Sequence, residues 1–352
     1  CGGAPRGNPA FHLDDPPAAF GAGAGKWRGA GLRRTRGRSP DPDSGIPTMM
    51  QSVLIVDGTA VAYRAFYAVR GLSTRAGRPT NALFGFIRML RQLEKQWRPA
   101  RIAVAFDGGS PAHRLEKCPA YKAQRAPMPD ELRAQLPLIN EYLAAAGIPQ
   151  VLLKGQEADD VMATLAARAA QLGATVRLAT SDKDLMQLVD ERVRLVPPTK
   201  TEEELDAAGV EAKTGVRPDQ IVDWLALIGD AADNIPGVNG IGPKTAAKLL
   251  AQFGSLPECF ARADEIASAG VREKLQAGRA VAELNVQLMT LDKAVPGVPS
   301  WEDLPAPAPD AAALDNFFAT YELHRFAAEP EPTAAPPAPK PAKPADNQLN
   351  LF

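Results

Sequence analysis

The sequence is poor in the residues that build thiolate or imidazole sites. Its 352 residues include three cysteines and three histidines, and no CxxC or comparable ligand spacing occurs. This scarcity argues against a zinc site and against a histidine general base. Three cysteines cannot all pair with one another, and a reducing cytosol is the simplest interpretation.

Long apolar runs are also missing. No stretch of 18 apolar residues occurs, so we expect no membrane span. Residues 1–48 are rich in Gly, Pro and Arg and lack the apolar core of a secretion signal. We interpret them as a disordered arm or, preferably, as an upstream in-frame extension with the start at Met49 or Met50.

Charge is balanced overall but separated along the chain. The net charge is -1, yet residues 61–125 carry 13 Lys or Arg against 3 Asp or Glu. Acidic residues gather instead at 157–160, 182–191 and 202–206. Such a separation suits a protein that binds both phosphates and cations.

Residues 50–205 alternate between apolar runs and helical periods. The runs are SVLIVD (52–57), RIAVAFD (101–107) and TVRLATSD (175–182), each ending in aspartate. The helical stretches cover 81–97, 129–147 and 157–173. This alternation predicts an α/β domain with a mostly parallel central sheet flanked by helices.

The rest of the chain is different in character. Residues 206–327 are predicted to be helical, with two helices joined by a glycine-rich turn over 220–253. Seven prolines among residues 330–344 indicate an extended linker over 328–347. The chain closes with QLNLF (348–352).

Nine carboxylates are expected to converge. Strand ends of a parallel sheet line one crevice, which places Asp57, Asp107 and Asp182 together. The other six are expected nearby. Glu157, Asp159 and Asp160 open a helix that follows a strand within 148–155. Asp184 lies two residues past Asp182, and Asp230 and Asp233 share one helix face. Carboxylates this close repel unless cations separate them, and an all-oxygen set suits Mg²⁺ or Mn²⁺.

These segments resemble the 5′–3′ exonuclease and flap endonuclease family over residues 52–327. The motifs that carry the resemblance are VDGTAVAYRAFYA, VAFDGG, YKAQRAPMP, GQEADDVMATLA, ATSDKDLMQLV and LALIGDAADNIPGVNGIGPKTAAKLL. The resemblance implies a PIN-like nuclease fold with two metal ions. It assigns Asp57, Asp107, Glu157, Asp159 and Asp160 to the first ion. It assigns Asp182, Asp184, Asp230 and Asp233 to the second.

The basic segment 110–127 corresponds in the family to a helical arch over the active site. By resemblance Arg114, Lys122 and Arg125 contact the scissile phosphate or its neighbours. Tyr63 and Arg64 are implied to lie beside Asp57. Tyr121 is either a base-stacking residue or a buried anchor, and both alternatives stay open here.

The turn GVNGIGPKT comes close to a nucleotide-binding P-loop, but Pro243 replaces the lysine and no strand precedes it. A helix–hairpin–helix that binds a DNA phosphate at a helix N-terminus fits better. Its predicted contacts are Gly237, Gly240, Gly242, Lys244, Thr245 and Lys248. The resemblance also implies a monovalent cation such as K⁺ on the hairpin carbonyls.

The leading hypothesis is a monomeric, Mg²⁺-dependent 5′ nuclease that cuts flaps, nicks and RNA primer ends in replication and repair. One alternative is a tethered module that binds branched DNA without cutting it, which the complete acid set disfavours. A toxin-like ribonuclease is disfavoured because such chains lack the hairpin and the basic segment.

The tail resembles peptides that dock in the apolar groove of a bacterial sliding clamp. Gln348, Leu349, Leu351 and Phe352 would fill that groove. A tether of about 20 residues at about 3.1 Å each spans roughly 60 Å, and tethering raises local concentration without new contacts at the active site.

Deleting residues 348–352 is therefore expected to abolish binding to a sliding clamp while turnover on free DNA stays unchanged, because the tail adds only localisation. Surface plasmon resonance on immobilised clamp, together with a cleavage assay lacking clamp, measures both quantities. Unchanged clamp binding would contradict the assignment.

Overall fold

A computed structural model describes residues 51–327 of the chain. The expected N-terminal arm, the proline-rich linker and the QLNLF tail lie outside this range. The described part is built on a five-stranded sheet with the order β3-β2-β1-β4-β5, in which every pair is parallel. This confirms the α/β fold class expected from the apolar runs.

The strands of the sheet are β1 (Ser52–Asp57), β2 (Arg101–Phe106), β3 (Gln150–Leu152), β4 (Thr175–Ala179) and β5 (Val193–Val196). The helices of this half are α1 (Gly58–Ala68), α2 (Asn81–Trp97), α3 (Ala112–Lys117), α4 (Asp130–Arg133), α5 (Leu136–Ala145), α6 (Ala158–Gln171) and α7 (Ala207–Thr214). The remaining elements are α8 (Ile221–Ile228), β6 (Gly229–Asp230), β7 (Ile235–Pro236), α9 (Pro243–Phe253), α10 (Leu256–Ala261), α11 (Ala269–Ala277), α12 (Arg279–Met289), α13 (Ala311–Thr320) and α14 (His324–Ala327).

Both faces of the sheet are buried, which explains why its strands are apolar without alternation. In β1, Val53 and Ile55 join the core that includes α6, α8 and α9. Leu54 and Val56 join the opposite core, formed with α1, α2 and α5. Helices on both faces leave the carboxyl edge of the sheet as the open side.

The prediction of a single helix over 129–147 is wrong. The structure breaks it into α4 and α5, and the buried Gln135 lies in the gap. Its side-chain carbonyl accepts the N–H groups of Ala82 and Leu83 at 2.8 and 3.2 Å, and its amide donates to Asn81 Oδ1 at 2.8 Å. Gln135 thereby supplies a hydrogen-bond acceptor to backbone N–H groups in the first turn of α2, a helix whose N-cap residue makes no side-chain capping bond.

The region predicted to be helical, 206–327, ends in two helices that pack away from the hairpin. Helix α13 packs against α5, where the ring of Tyr142 lies 5.8 Å from that of Phe317 and 6.2 Å from that of Phe318. Tyr321 donates a hydrogen bond of 2.7 Å to Glu141. The last two helices therefore belong to the layer beside the sheet.

Within residues 51–327, no helix combines the length and apolar character that a bilayer span needs.

Replacing Gln135 with alanine is expected to lower the free energy of unfolding by about 1–3 kcal/mol, because buried N–H groups of α2 lose their acceptor. Urea denaturation followed by circular dichroism measures the change. Gln92, exposed on the same helix α2, offers the control, and its alanine variant should stay within about 0.5 kcal/mol of the parent. Equal stability of both variants would remove the capping role.

Candidate metal centre and nucleic-acid interface

Two of the predicted acids also cap helices at the carboxyl edge of the sheet. Asp57 ends β1, and its Oδ1 accepts the N–H of Ala60 in the first turn of α1 at 2.9 Å. Asp107 follows β2 and accepts the N–H of Ala158 at the start of α6 at 2.8 Å. The local chain fold thus fixes both carboxylates where adjacent parallel strands end.

Four predicted acids line one cavity of about 560 Å³: Asp57, Asp107, Asp159 and Asp182. Burial, with the charges of Asp107 and Asp182, raises the pKa of Asp57 to about 7. Burial and the charges of its three neighbours raise the pKa of Asp159 as well. The charge of Asp182 also raises the pKa of Asp184, so Asp182 links this cavity to the second group of acids.

The second group comes together through a turn, and the expectation that Asp230 and Asp233 share a helix face is wrong. Helix α8 ends at Ile228, and Gly229 at φ +75° redirects the chain. Asp230 then lies in the two-residue strand β6, where its carboxylate accepts the N–H of Ala232 at 3.0 Å. Asp233 completes the next tight turn.

This second group fits a hard divalent cation. Carboxylate oxygens of Asp184, Asp230 and Asp233 lie within 4.8 Å of one another. Burial and the charges of Asp182 and Asp230 raise the pKa of Asp184 to about 8. Its buried Oδ1 has no hydrogen-bond partner in the part of the chain that the structure describes, although buried carboxylate oxygens are normally paired. An oxygen-only set with one unpaired buried oxygen suits Mg²⁺ or Mn²⁺.

Glu157 and Asp160 instead form a buried network with Arg114. The Arg114 guanidinium donates to Glu157 Oε2 at 2.6 Å and to both oxygens of Asp160 at 2.6 and 2.8 Å. Its Nε donates to the carbonyl of Leu288 at 2.8 Å, and Asp160 Oδ1 also accepts the N–H of Asp292 at 2.9 Å. Asp160 therefore has both oxygens engaged and faces the protein interior, away from the cleft.

The structure corrects the role that the resemblance implied for Arg114. Its side chain is 2 % exposed, because packing encloses it together with the two carboxylates. A phosphate at the cleft cannot reach it without breaking that network. Arg114 is accordingly a positioning residue for Glu157 and Asp160.

Lys122 and Tyr121 connect the two groups of acids. Lys122 Nζ lies 2.5 Å from Glu157 Oε1 and 3.6 Å from Asp233 Oδ2. The Tyr121 hydroxyl donates to Glu157 Oε2 at 2.9 Å and lies 3.3 Å from Asp233 Oδ2. Because Tyr121 is 5 % exposed, the structure favours the buried-anchor alternative over base stacking.

Residues 110–127 form a short helix followed by turns, where the resemblance implied a helical arch. The segment lies on the turn at 230–234, and the backbone N–H of Lys122 donates to the carbonyl of Asp233 at 2.9 Å. Arg125 Nη2 is 2.5 Å from Asp233 Oδ1, and its side chain is 52 % exposed. Arg125 is thus reachable from solvent at the cleft.

Tyr63 and Arg64 leave α1 toward different cavities. Tyr63 lines the acidic cavity with Asp57 and Asp107. Arg64 is exposed and lines a neighbouring cavity of about 650 Å³. Both cavities include Asp182. Of the two side chains, only Tyr63 lines the cavity that contains Asp57 and Asp107.

The glycine-rich turn is a hairpin anchored by Val238 and Ile241, which are both buried. Gly229 and Gly237 pack backbone to backbone, since a Cβ on Gly237 would lie 2.3 Å from the carbonyl of Ile228. This close approach requires glycine and holds α8, the hairpin and α9 together.

The predicted DNA contacts of the hairpin divide by exposure. Gly240, Gly242, Lys244 and Lys248 are exposed, whereas Gly237 and Thr245 are half-buried. Sequence reasoning missed Lys274 on α11, whose Nζ would lie 2.8 Å from a Cβ on Gly240. No local pattern could have found it, because 34 positions separate the two residues.

Sequence models of two domains match consecutive parts of the chain. A 5′-3′ exonuclease N-terminal resolvase-like domain matches residues 52–215, and a 5′-3′ exonuclease C-terminal SAM fold matches residues 216–312. A 5′-3′ exonuclease of Aquifex aeolicus is 40 % identical over 274 residues, which are 78 % of this chain and 93 % of the relative. The chain belongs to the 5′–3′ exonuclease family. It is therefore a nuclease, a hydrolase of phosphodiester bonds.

Other relatives of this nuclease are longer proteins. A thermostable DNA polymerase I of Thermus thermophilus is 40 % identical over 297 residues, covering 82 % of this chain and 34 % of the relative. The chain spans about a third of that polymerase's length. Among solved structures, a T5 5′-exonuclease with bound zinc aligns with a TM-score of 0.59 at 22 % identity, over 78 % of this chain and 99 % of that one. That likeness confirms the fold.

Replacing Arg114 with methionine is expected to lower the free energy of unfolding of this nuclease by about 3–5 kcal/mol, because two buried carboxylates lose their partner. Chemical denaturation measures it. Arg125→Ala is the matched control, since its exposed ion pair contributes at most about 1 kcal/mol. If Arg114→Met left stability unchanged and reduced only affinity for DNA, the positioning role would be wrong and the phosphate contact right.

Proposed function

We propose that this nuclease is a Mg²⁺-dependent, structure-selective 5′–3′ exonuclease and 5′-flap endonuclease that uses two metal ions. The observation that carries the proposal is a pair of adjoining carboxylate groups, four that line one cavity and three whose oxygens lie within 4.8 Å of one another, with Asp182 linking the two. One of their buried oxygens lacks any partner among the described residues. Repulsion on this scale favours occupancy by divalent cations.

The two groups of acids would each hold one ion. The first would lie among Asp57, Asp107 and Asp159, the second among Asp184, Asp230 and Asp233, with Asp182 between them. Two Mg²⁺ ions bound there would lower the pKa of the attacking water and stabilise charge on the leaving oxygen. Several of these carboxylates would act through ordered water, since Mg²⁺ loses its waters reluctantly.

Cations of the chain would position the scissile phosphate. Lys122 and Arg125 both line the acidic cavity and carry positive charge toward the carboxylates. A phosphate entering the cleft would exchange the contacts of these two side chains with Glu157 and Asp233 for charge-assisted hydrogen bonds to its own oxygens. Glu157, tied to Arg114, keeps Lys122 near the site.

The hairpin module would bind the duplex next to the cut. Lys244 and Lys248 are exposed on α9, and Lys274 lies beside the exposed hairpin glycine Gly240. Such contacts bind the phosphate backbone without reading sequence. A T5 flap endonuclease with a TM-score of 0.56 at 23 % identity was solved in a complex with DNA and metal ions, which supports this substrate class. A K⁺ site at the hairpin stays a prediction.

Three further parts of the proposal rest on the sequence. RNA primer ends are included as a further substrate on the basis of the family resemblance. Clamp binding rests on the QLNLF tail, and a cytosolic, monomeric enzyme rests on composition. A module that binds branched DNA without cutting it is the alternative, and the complete set of acids opposes it.

Cleavage of a labelled 5′-flap substrate across Mg²⁺ concentrations tests the function. Asp182→Ala is expected to lower kcat by at least about 100-fold while DNA affinity changes little, because Asp182 serves both groups of acids and even indirect changes around a metal cost 10–100-fold. Gel electrophoresis of the products gives the rate, and fluorescence anisotropy gives the affinity.

Asp315→Ala is the matched control, since Asp315 is exposed on α13 and lines none of these cavities. Its rate should equal that of the parent. If parent and Asp182→Ala were equally inert with Mg²⁺ and with Mn²⁺ yet bound the flap, the non-cleaving module would replace this proposal.

A further inference from the structure

The acidic cavity has a second, apolar half that the proposed chemistry does not use. Phe106, Met128, Leu136 and Leu152 line it together with Asn140. Leu152 is 57 % exposed, which makes it one of the few large apolar side chains left open in residues 51–327. A single exposed leucine is ordinary, but this one forms the wall of a cavity that also holds four carboxylates.

The sheet accounts for this arrangement. β3 is the edge strand, and its outward positions are Gln150 and Leu152 while Val151 faces the core. Leu152 stands in register with Phe106 of β2, the residue directly before Asp107. The apolar wall and the first acids therefore lie side by side at the ends of neighbouring strands.

We propose that this apolar half binds the nucleobase of the first unpaired nucleotide on the 5′ side of the scissile phosphate. The inference rests on the proposed function and names a subsite within it. A nucleotide has a charged phosphate and a flat, largely apolar base, and the cavity presents the matching pair of surfaces. Its volume of about 560 Å³ lies within the range of roughly 300–1,000 Å³ typical of small-molecule sites.

The chemistry of the wall suits a base of any sequence. Apolar contacts with Leu152, Leu136 and Met128 require only a π-face, which every base has. The side-chain amide of Asn140 can both donate and accept at a base edge. Tyr63, which also lines this cavity, adds an aromatic ring.

The position of the hairpin decides which nucleotide is involved. The hairpin follows directly after Asp230 and Asp233, so the duplex that it binds lies on the side of the second group of acids. Asp184 of that group follows β4, and β3 lies on the far side of β1 and β2 from β4 in the strand order. A strand that passes from the hairpin across the acids reaches the apolar wall only after it has left the duplex.

The test compares Leu152→Ser with the parent on flaps that carry an abasic site at the first or at the third unpaired nucleotide. Affinity is read by fluorescence anisotropy in EDTA, and kcat/KM is read with Mg²⁺. For the parent, the abasic site at the first position should weaken binding about 5–10-fold, and at the third position less than twofold. For Leu152→Ser, the first abasic site should matter less than twofold, because the contact is already lost.

Leu172→Ser is the matched control, since Leu172 is 40 % exposed at the end of α6 and outside the cavity; it should behave like the parent. Equal sensitivity of the parent and Leu152→Ser to the first abasic site overturns the subsite, even when cleavage proceeds normally. A different outcome is that the parent does not cleave, that its binding still depends on the first base, and that Leu152→Ser removes this dependence. That outcome would overturn the proposed function and leave the subsite in place.

Discussion

Mutual repulsion among carboxylates is the constraint around which this cleft is organised. Parallel strands end at one edge, so the aspartates that follow them cannot avoid one another. Burial, reinforced by the neighbouring charges, raises the pKa of Asp57 to about 7 and that of Asp184 to about 8, so both carboxylates resist ionisation. Cations from the chain offset part of the repulsion, and the Asp184 oxygen that lacks a partner within residues 51–327 marks where these protein groups alone do not suffice.

Burial separates the roles of the cations that come from residues 110–127. The exposed fractions of the side chains are 2 % for Arg114, 15 % for Lys122 and 52 % for Arg125. The most buried one is committed to holding carboxylates, since a guanidinium enclosed with two acids cannot leave without stranding their charge. The most exposed one loses little when it exchanges a carboxylate for a phosphate.

Two acids of the candidate metal centre, Asp230 and Asp233, form one continuous piece of chain with the hairpin. Gly229 ends α8 and starts the turn that carries Asp230 and Asp233, and its backbone packs against Gly237 at the start of the hairpin. Any shift of the hairpin relative to α8 therefore moves two carboxylates. This coupling would keep the bound duplex at a constant distance from the acids that serve the cut.

The sequence by itself determined the parallel sheet, the acids at its strand ends, helix α2 from Asn81 to Trp97 and the hairpin, because periodicity and turn residues act over a few positions. Only the tertiary structure decided that Arg114 and Tyr121 are buried, that Asp230 and Asp233 meet through a turn, and that Lys274 reaches Gly240. The burial of Arg114 and Tyr121 and the approach of Lys274 depend on which distant group comes within about 3 Å of a side chain. That distance is set by packing between elements, which no local pattern encodes.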